Sequence, residues 1–175
     1  NLMAMQSGSP QFVRWRAARE FAVGLPDAKV ALRLDRGGKA IDETLAFDRT
    51  KMVIAPRPEA LSEVRPGIFY VDLSRYDQKA FDAALPKLVA ARAIVFDMRG
   101  YPTQDALNVV AYWITGADRA QWMIVPRFDK PFGEYATGWS TGWQRERNAA
   151  LEKPAKFLLT NGRAISFAES LVAYF

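Results

Sequence analysis

The sequence contains no cysteine and no histidine. The first absence excludes disulfides, thiolate nucleophiles and cysteine-based metal sites. The second removes the side chain that most often serves as general base near neutral pH. No metal site and no cofactor are therefore expected. Long apolar runs are also missing: none approaches the roughly 18 to 20 residues needed to span a bilayer. Stretches such as Ala93–Phe96 and Phe157–Leu159 have the length of buried strands. The opening Asn1-Leu2-Met3-Ala4-Met5-Gln6 has neither a basic n-region nor an apolar h-region, so no signal peptide is read there. A chain that does not open on Met is expected to be a fragment or a processed form. Internal repeats and low-complexity tracts are absent too.

What is present is the composition of an ordinary globular domain. Of 175 residues, 50% are hydrophobic and 25% charged. The net charge of +5 raises the question of an anionic partner. Nucleic-acid binding needs a concentrated basic stripe, whereas here Lys and Arg are interleaved with Asp and Glu. Arg14, Arg16 and Arg19 form the only local cluster and read as a solvated helix face.

Ser7-Gly8-Ser9-Pro10 is a helix entry, and the spacing predicts an amphipathic helix to about Val23. Lys29–Leu34 alternates, Asp35–Lys39 supplies turn residues, and Ala40–Phe47 returns, as in a hairpin. Lys51–Pro56 reads as a further strand and Pro58–Pro66 as a connector. From there the pattern changes. Strands are expected at Ile68–Leu73, Arg92–Met98, Gln121–Pro126 and Lys156–Thr160. Helices are expected at Asp77–Ala91, kinked or split at Pro86, at Thr103–Thr115, and from near Ser166. Arg127–Lys153 reads as a long loop. Strands alternating with helices imply crossovers, hence an α/β fold with a largely parallel sheet. The boundaries are a small β-rich segment at residues 1–62 and an α/β domain at 63–175.

In such sheets ligands sit at the carboxyl ends of the strands. Two ends stand out. Asp97-Met98-Arg99-Gly100 closes one strand, and its glycine can bring a backbone N–H close to a ligand. Read plainly, Gly100-Tyr101-Pro102 is a turn before a helix. Asn161-Gly162-Arg163-Ala164-Ile165-Ser166 leads from another strand into a helix, where Ser166 could act as a nucleophile and the Phe167 N–H could hold an oxyanion. Ser166-Phe167-Ala168-Glu169 is equally a capping box. Trp139-Ser140-Thr141-Gly142-Trp143 could line a groove for a peptide or glycan, or pin a loop to the core. Carboxylate couples for glycosidic chemistry, Asp72 with Asp77 or Asp42 with Glu43, rest only on closeness in sequence.

Taken as an ordered pair, the two turns resemble the core of the tail-specific, or C-terminal-processing, serine proteases. Asp97-Met98-Arg99-Gly100 matches that family's Asp-x-Arg-Gly-Asn, and Ser166-Phe167-Ala168-Glu169 its Ser-x-Ala-Glu. The resemblance spans roughly Pro66 to Phe175, and the first 60 residues resemble the end of a PDZ-type domain. It implies a crotonase/ClpP-like spiral core and a polypeptide substrate cleaved through an acyl-enzyme on Ser166. The backbone N–H groups of Gly100 and Phe167 would form the oxyanion hole, and Glu169 would orient the base or cap the helix. Asp97 and Arg99 would be scaffold. A periplasmic or secreted setting follows from the family. Two departures stand against it. The family continues Arg-Gly-Asn-x-Gly-Gly, where this chain has Tyr101-Pro102-Thr103-Gln104. The family's lysine base lies further beyond the serine, and Phe167–Phe175 contains no Lys, so the base is expected outside this chain. The alternatives are an inactive, peptide-binding relative and an acyl-CoA enzyme of the crotonase type.

Overall fold

The computed structural model describes residues 9–21, 28–46, 56–118, 123–127, 136–140 and 142–175. The chain divides into two compact units, Asn1–Arg57 and Pro58–Phe175.

In the first unit, helix α1 (Pro10–Phe21) starts where Ser9 Oγ accepts the Phe12 N–H at 3.3 Å, with Pro10 as the first helical residue. Strands β1 (Lys29–Arg36) and β2 (Lys39–Ala46) pair antiparallel over their whole length. Their turn needs two residues at positive φ, and Gly37 (φ 64°) and Gly38 (φ 80°) supply them. Asp35 Oδ1 accepts the Gly38 N–H at 2.7 Å and fixes the turn. The strand expected at Lys51–Pro56 lies, but for Pro56, outside the described residues.

The second unit is mixed α/β, built on a mostly parallel four-stranded sheet in the order β3-β4-β5-β8. Strand β3 (Leu61–Arg65) falls where a connector was expected, and pairs antiparallel with β4 (Ile68–Asp72) through the Pro66-Gly67 turn. Its alternation is too weak to read alone; the pairing with β4 makes it a strand. Helix α2 (Gln78–Val89) then crosses over to β5 (Ala93–Asp97), parallel to β4. Pro86 does not split α2. Pro86 and Asp82, whose carbonyl loses its N–H partner, both lie on the exposed side of the helix, where a missing hydrogen bond costs least.

The next helical segment, Gln104–Tyr112, is a 3-10 helix rather than the expected α-helix. Its buried residues explain the tighter winding. Leu107, Val110 and Trp113 recur every three positions, as do Ala106 and Val109, and a 3-10 helix stacks such residues in rows against the core. Strands β6 (Met123–Arg127) and β7 (Ala136–Ser140) form a separate antiparallel pair, so the expected long loop contains a strand. Strand β8 (Ala155–Leu159) returns parallel to β5, and helix α3 (Phe167–Val172) follows.

In this second unit α2, the Gln104–Tyr112 helix and α3 pack on one face of the sheet. Phe69, Val71, Ile94 and Phe96 form that face, and with Phe81, Leu88, Val109, Val110 and Leu171 they make the core. The opposite face carries Tyr70, Asp72, Val95 and Asp97, and on β8 the more open Phe157 and Leu159. The parallel strands thus deliver Asp72, Asp97 and Leu159 to one end of the sheet. The candidate residues follow directly from those ends.

Candidate active site

Asp72 and Asp97 close β4 and β5 in register, and both are fully buried. A buried carboxylate must be paired and hydrogen-bonded to remain ionised. Each is. Asp72 accepts from the Ser74 N–H (2.9 Å), the Ser74 hydroxyl (2.6 Å) and Arg75 Nε (2.8 Å). Asp97 accepts from the Arg99 N–H (2.8 Å), from Arg99 Nε and Nη2 (3.0 and 2.7 Å), and from the Tyr70 hydroxyl at 2.6 Å. Tyr70 Oη also lies 3.4 Å from Asp72 Oδ2 and so joins the two clusters. Burial alone would raise the Asp97 carboxyl; Arg99 and the Tyr70 hydroxyl outweigh it and hold it at about 2. Arg99 is raised in turn by Asp97. Asp97 and Arg99 thus form a rigid fork at the strand end, the scaffold role expected of them.

The carboxylate couples weighed from sequence do not form. Asp77 caps α2 by accepting the Ala80 N–H at 2.7 Å, and Asp42 is held by Arg33 across the hairpin. Asp42 and Glu43 are successive strand residues and point to opposite faces. The pair the fold does bring together is Asp72 with Asp97. Only the strand register creates it, and sequence spacing holds no trace of it.

The Asp97–Arg99 fork fixes the backbone that leads into Gly100. Gly100 is buried, and its N–H makes no hydrogen bond with any described residue. An unpaired N–H in a buried turn is rare. The peptide carrying it is held from its other side: Asn161 Nδ2, on the β8–α3 turn, reaches the Arg99 carbonyl at 3.5 Å. In a trans peptide C=O and N–H point oppositely, so this contact helps set the direction of the Gly100 N–H. Asn161 was read as a turn residue only. It also shapes its own turn, accepting the Arg163 N–H at 2.9 Å on Oδ1.

Ser166 opens α3 at φ 55°, ψ −122°. An N-cap residue normally sits in the β region, and this conformation lies outside the regions open to L-residues. Strain of this kind costs about 1–3 kcal/mol and clusters at functional sites. A serine strained at the entry to a helix also presents the nucleophile of α/β-hydrolases. Ser166 is exposed. The capping box read from sequence is present, and Glu169 Oε2 accepts the Ser166 N–H at 2.8 Å. Glu169 therefore holds the strained residue by its backbone. The Phe167 N–H, like that of Gly100, has no partner among the described residues.

Aromatic packing joins the two turns. The Phe167 ring lies 6.4 Å from that of Tyr101 and 5.5 Å from that of Trp143. Trp143 in turn stacks on Tyr174 at 5.2 Å and donates its N–H to the Tyr174 hydroxyl. Trp143 is therefore pinned to α3 and Tyr174. The side chain of Trp139, and Thr141 altogether, lie outside what is described.

Among the described residues no side chain hydrogen-bonds the Ser166 hydroxyl. Lys156 sits near the start of β8, roughly 10 Å of strand away from its carboxyl end. No group of three or more Asp or Glu residues that could hold a metal occurs among the described residues, and no described helix is long and apolar enough to cross a membrane. Compared with known proteins, the chain matches no family model, and no curated protein matches it.

Proposed function

We propose that this chain carries the nucleophile and oxyanion hole of a serine-type peptidase of the tail-specific kind, built on a crotonase/ClpP-like spiral core. Its substrate is a polypeptide and its setting periplasmic or secreted. The N-terminal unit is the end of a PDZ-like domain. The observation that carries the reading is Ser166, an exposed non-glycine residue held in a strained conformation at the entry to α3. Two amides without a partner among the described residues, those of Gly100 and Phe167, are donors of the kind an oxyanion needs. One such donor is worth on the order of 3 kcal/mol in the transition state. The base that activates the hydroxyl is supplied from outside this chain.

A second reading, an inactive relative that binds peptide, is favoured by one observation: no described side chain hydrogen-bonds the hydroxyl. A fluorophosphonate probe, applied to the full-length protein and to its Ser166→Ala variant, separates the two. Labelling that vanishes in the variant supports the peptidase. Labelling that persists in the folded variant refutes the nucleophile assignment. No labelling of either favours the binding relative.

A further inference from the structure

The second unit holds an open cavity of about 460 Å³, within the size range of ligand pockets. Gln78, Asn108, Tyr112, Trp143, Arg145 and Glu146 line it. Trp143 belongs to both places: one side of its surroundings is this cavity, and its ring also packs on Phe167, next to Ser166. The polar groups of the cavity are locked to one another. Gln78 Nε2 donates to Asp82 at 2.7 Å. Gln78 Oε1 accepts from the Tyr76 hydroxyl (3.1 Å) and from Asn108 Nδ2 (2.8 Å), which fills its two lone pairs. Asn108 Oδ1 takes Arg145 Nη1 at 3.4 Å. Burial, with Asp82 adding to it, raises Tyr76 well above the usual tyrosine range and keeps it a donor.

What remains free is donor capacity, chiefly on Arg145. Elsewhere in this chain the Nε–Nη2 edge of an arginine grips a carboxylate, as Arg33 does with Asp42 and Arg99 with Asp97. On Arg145 that edge makes no ion pair with a described residue, and Nε is buried with no acceptor. A buried guanidinium N–H left unpaired is costly. The backbone holds the residue there: Gln144 before it takes φ 52°, and the Arg145 N–H donates to Asp118 Oδ2 at 3.3 Å. Glu146, the neighbouring acid, is exposed and makes no ion pair with Arg145.

We infer that this cavity recognises a carboxylate of a bound polypeptide, through the guanidinium of Arg145 as positioned by Asn108 and Gln78. The inference deepens the peptidase proposal, since it names a feature of the substrate, and it rests on that proposal for the occupant being polypeptide. The carboxylate has two sources, an acidic side chain or a free chain end.

The test measures binding without turnover, using the full chain as Ser166→Ala. Three pentapeptides are titrated by calorimetry: Ac-Ala-Ala-Glu-Ala-Ala-amide, Ac-Ala-Ala-Gln-Ala-Ala-amide, and Ac-Ala-Ala-Gln-Ala-Ala with a free carboxylate. One carboxylate peptide is expected to bind about tenfold tighter than the neutral one, the gain of a charge-assisted bidentate pair. The peptide that does so identifies the source. Arg145→Met is expected to erase that preference, and Arg145→Lys to restore only part of it. Equal binding of all three peptides, no binding of any, or an unchanged preference in folded Arg145→Met overturns the inference. Should Arg145→Met fail to fold, side-chain amide NMR signals of Asn108 and Gln78 are followed instead. Movement with the carboxylate peptide alone supports the site, and no movement refutes it. Because Ser166 is absent, these outcomes stand apart from those of the fluorophosphonate experiment.

Discussion

Replacing Asp97 by Asn keeps the shape of the strand end and removes its charge, which makes the Asp97–Arg99–Tyr70 cluster measurable. Asp97 is fully buried, while the Arg99 side chain is 40% exposed. Deleting one partner of a fully buried pair costs roughly 3–5 kcal/mol; exposure of Arg99 lets water recover part of that. The carboxyl offers a second route to the magnitude. It is lowered from 3.8 to about 2, opposed by burial and driven by Arg99 and Tyr70. At about 1.4 kcal/mol per unit, that displacement corresponds to about 2 kcal/mol of stability. The sign follows from the direction. A carboxyl depressed in the folded state contributes fully above its unfolded value near 3.8 and loses the contribution as pH falls toward 2. Urea unfolding, followed by circular dichroism, compares wild type with Asp97→Asn from about pH 7 to about pH 2. The expected gap is about 2 kcal/mol at neutral pH, steady down to about pH 4, and closing between about pH 4 and pH 2. Taking the difference between the two proteins cancels the other acids. A variant as stable as wild type at neutral pH, or a gap that ignores pH, refutes the argument.

Two further substitutions probe the turns. Ser166→Gly relieves the strained φ and is expected to raise stability by about 1 kcal/mol in thermal unfolding while abolishing fluorophosphonate labelling; a loss of stability would mean the conformation carries no strain. Asn161→Asp keeps the acceptor for the Arg163 N–H but cannot donate to the Arg99 carbonyl, so labelling should slow about tenfold with little change in melting temperature. Asn161→Gln, with a donor of greater reach, should recover part of the rate. Equal rates in wild type and Asn161→Asp would remove Asn161 as a positioning residue.

Much of the second unit was legible because its signals are local. Ile68–Leu73, Arg92–Met98 and Lys156–Thr160 are short apolar runs bounded by turns, and each is a strand within a residue or two of its expected limits. The helix after Asp77 has a capping acid and a helical apolar face. What stayed illegible depends on distant partners. Leu61–Arg65 is a strand because β4 lies beside it, and the Asp72–Tyr70–Asp97 cluster exists only through the β4–β5 register. The 3-10 winding at Gln104–Tyr112 is set by which residues meet the core, a choice that the same apolar spacing leaves open to an α-helix. At the candidate site, sequence picked out Gly100 and Ser166, the serine both as a nucleophile and as one arm of a capping box. Its backbone dihedrals belong to the folded turn, and no spacing announces them. Arg145 and Asn108 come together from separate segments, so nothing in their spacing marked them.

The Tyr70-linked pair of acids also bears on how the sheet finds its alignment. Parallel strands of Val, Ile, Phe and Ala offer many nearly equivalent pairings, and a slip of one residue turns every side chain to the other face. In the native alignment Asp72 and Asp97 stand side by side on the face away from the helices. Shift either strand by one position and a carboxylate is turned toward the apolar layer that Phe81, Leu88 and Leu171 fill. Placing a charged group there is unfavourable even with its own arginine beside it, which counts against mispaired sheets. The two acids work as a gauge of correct assembly, and the turn that presents the Gly100 amide is built only on sheets that pass it.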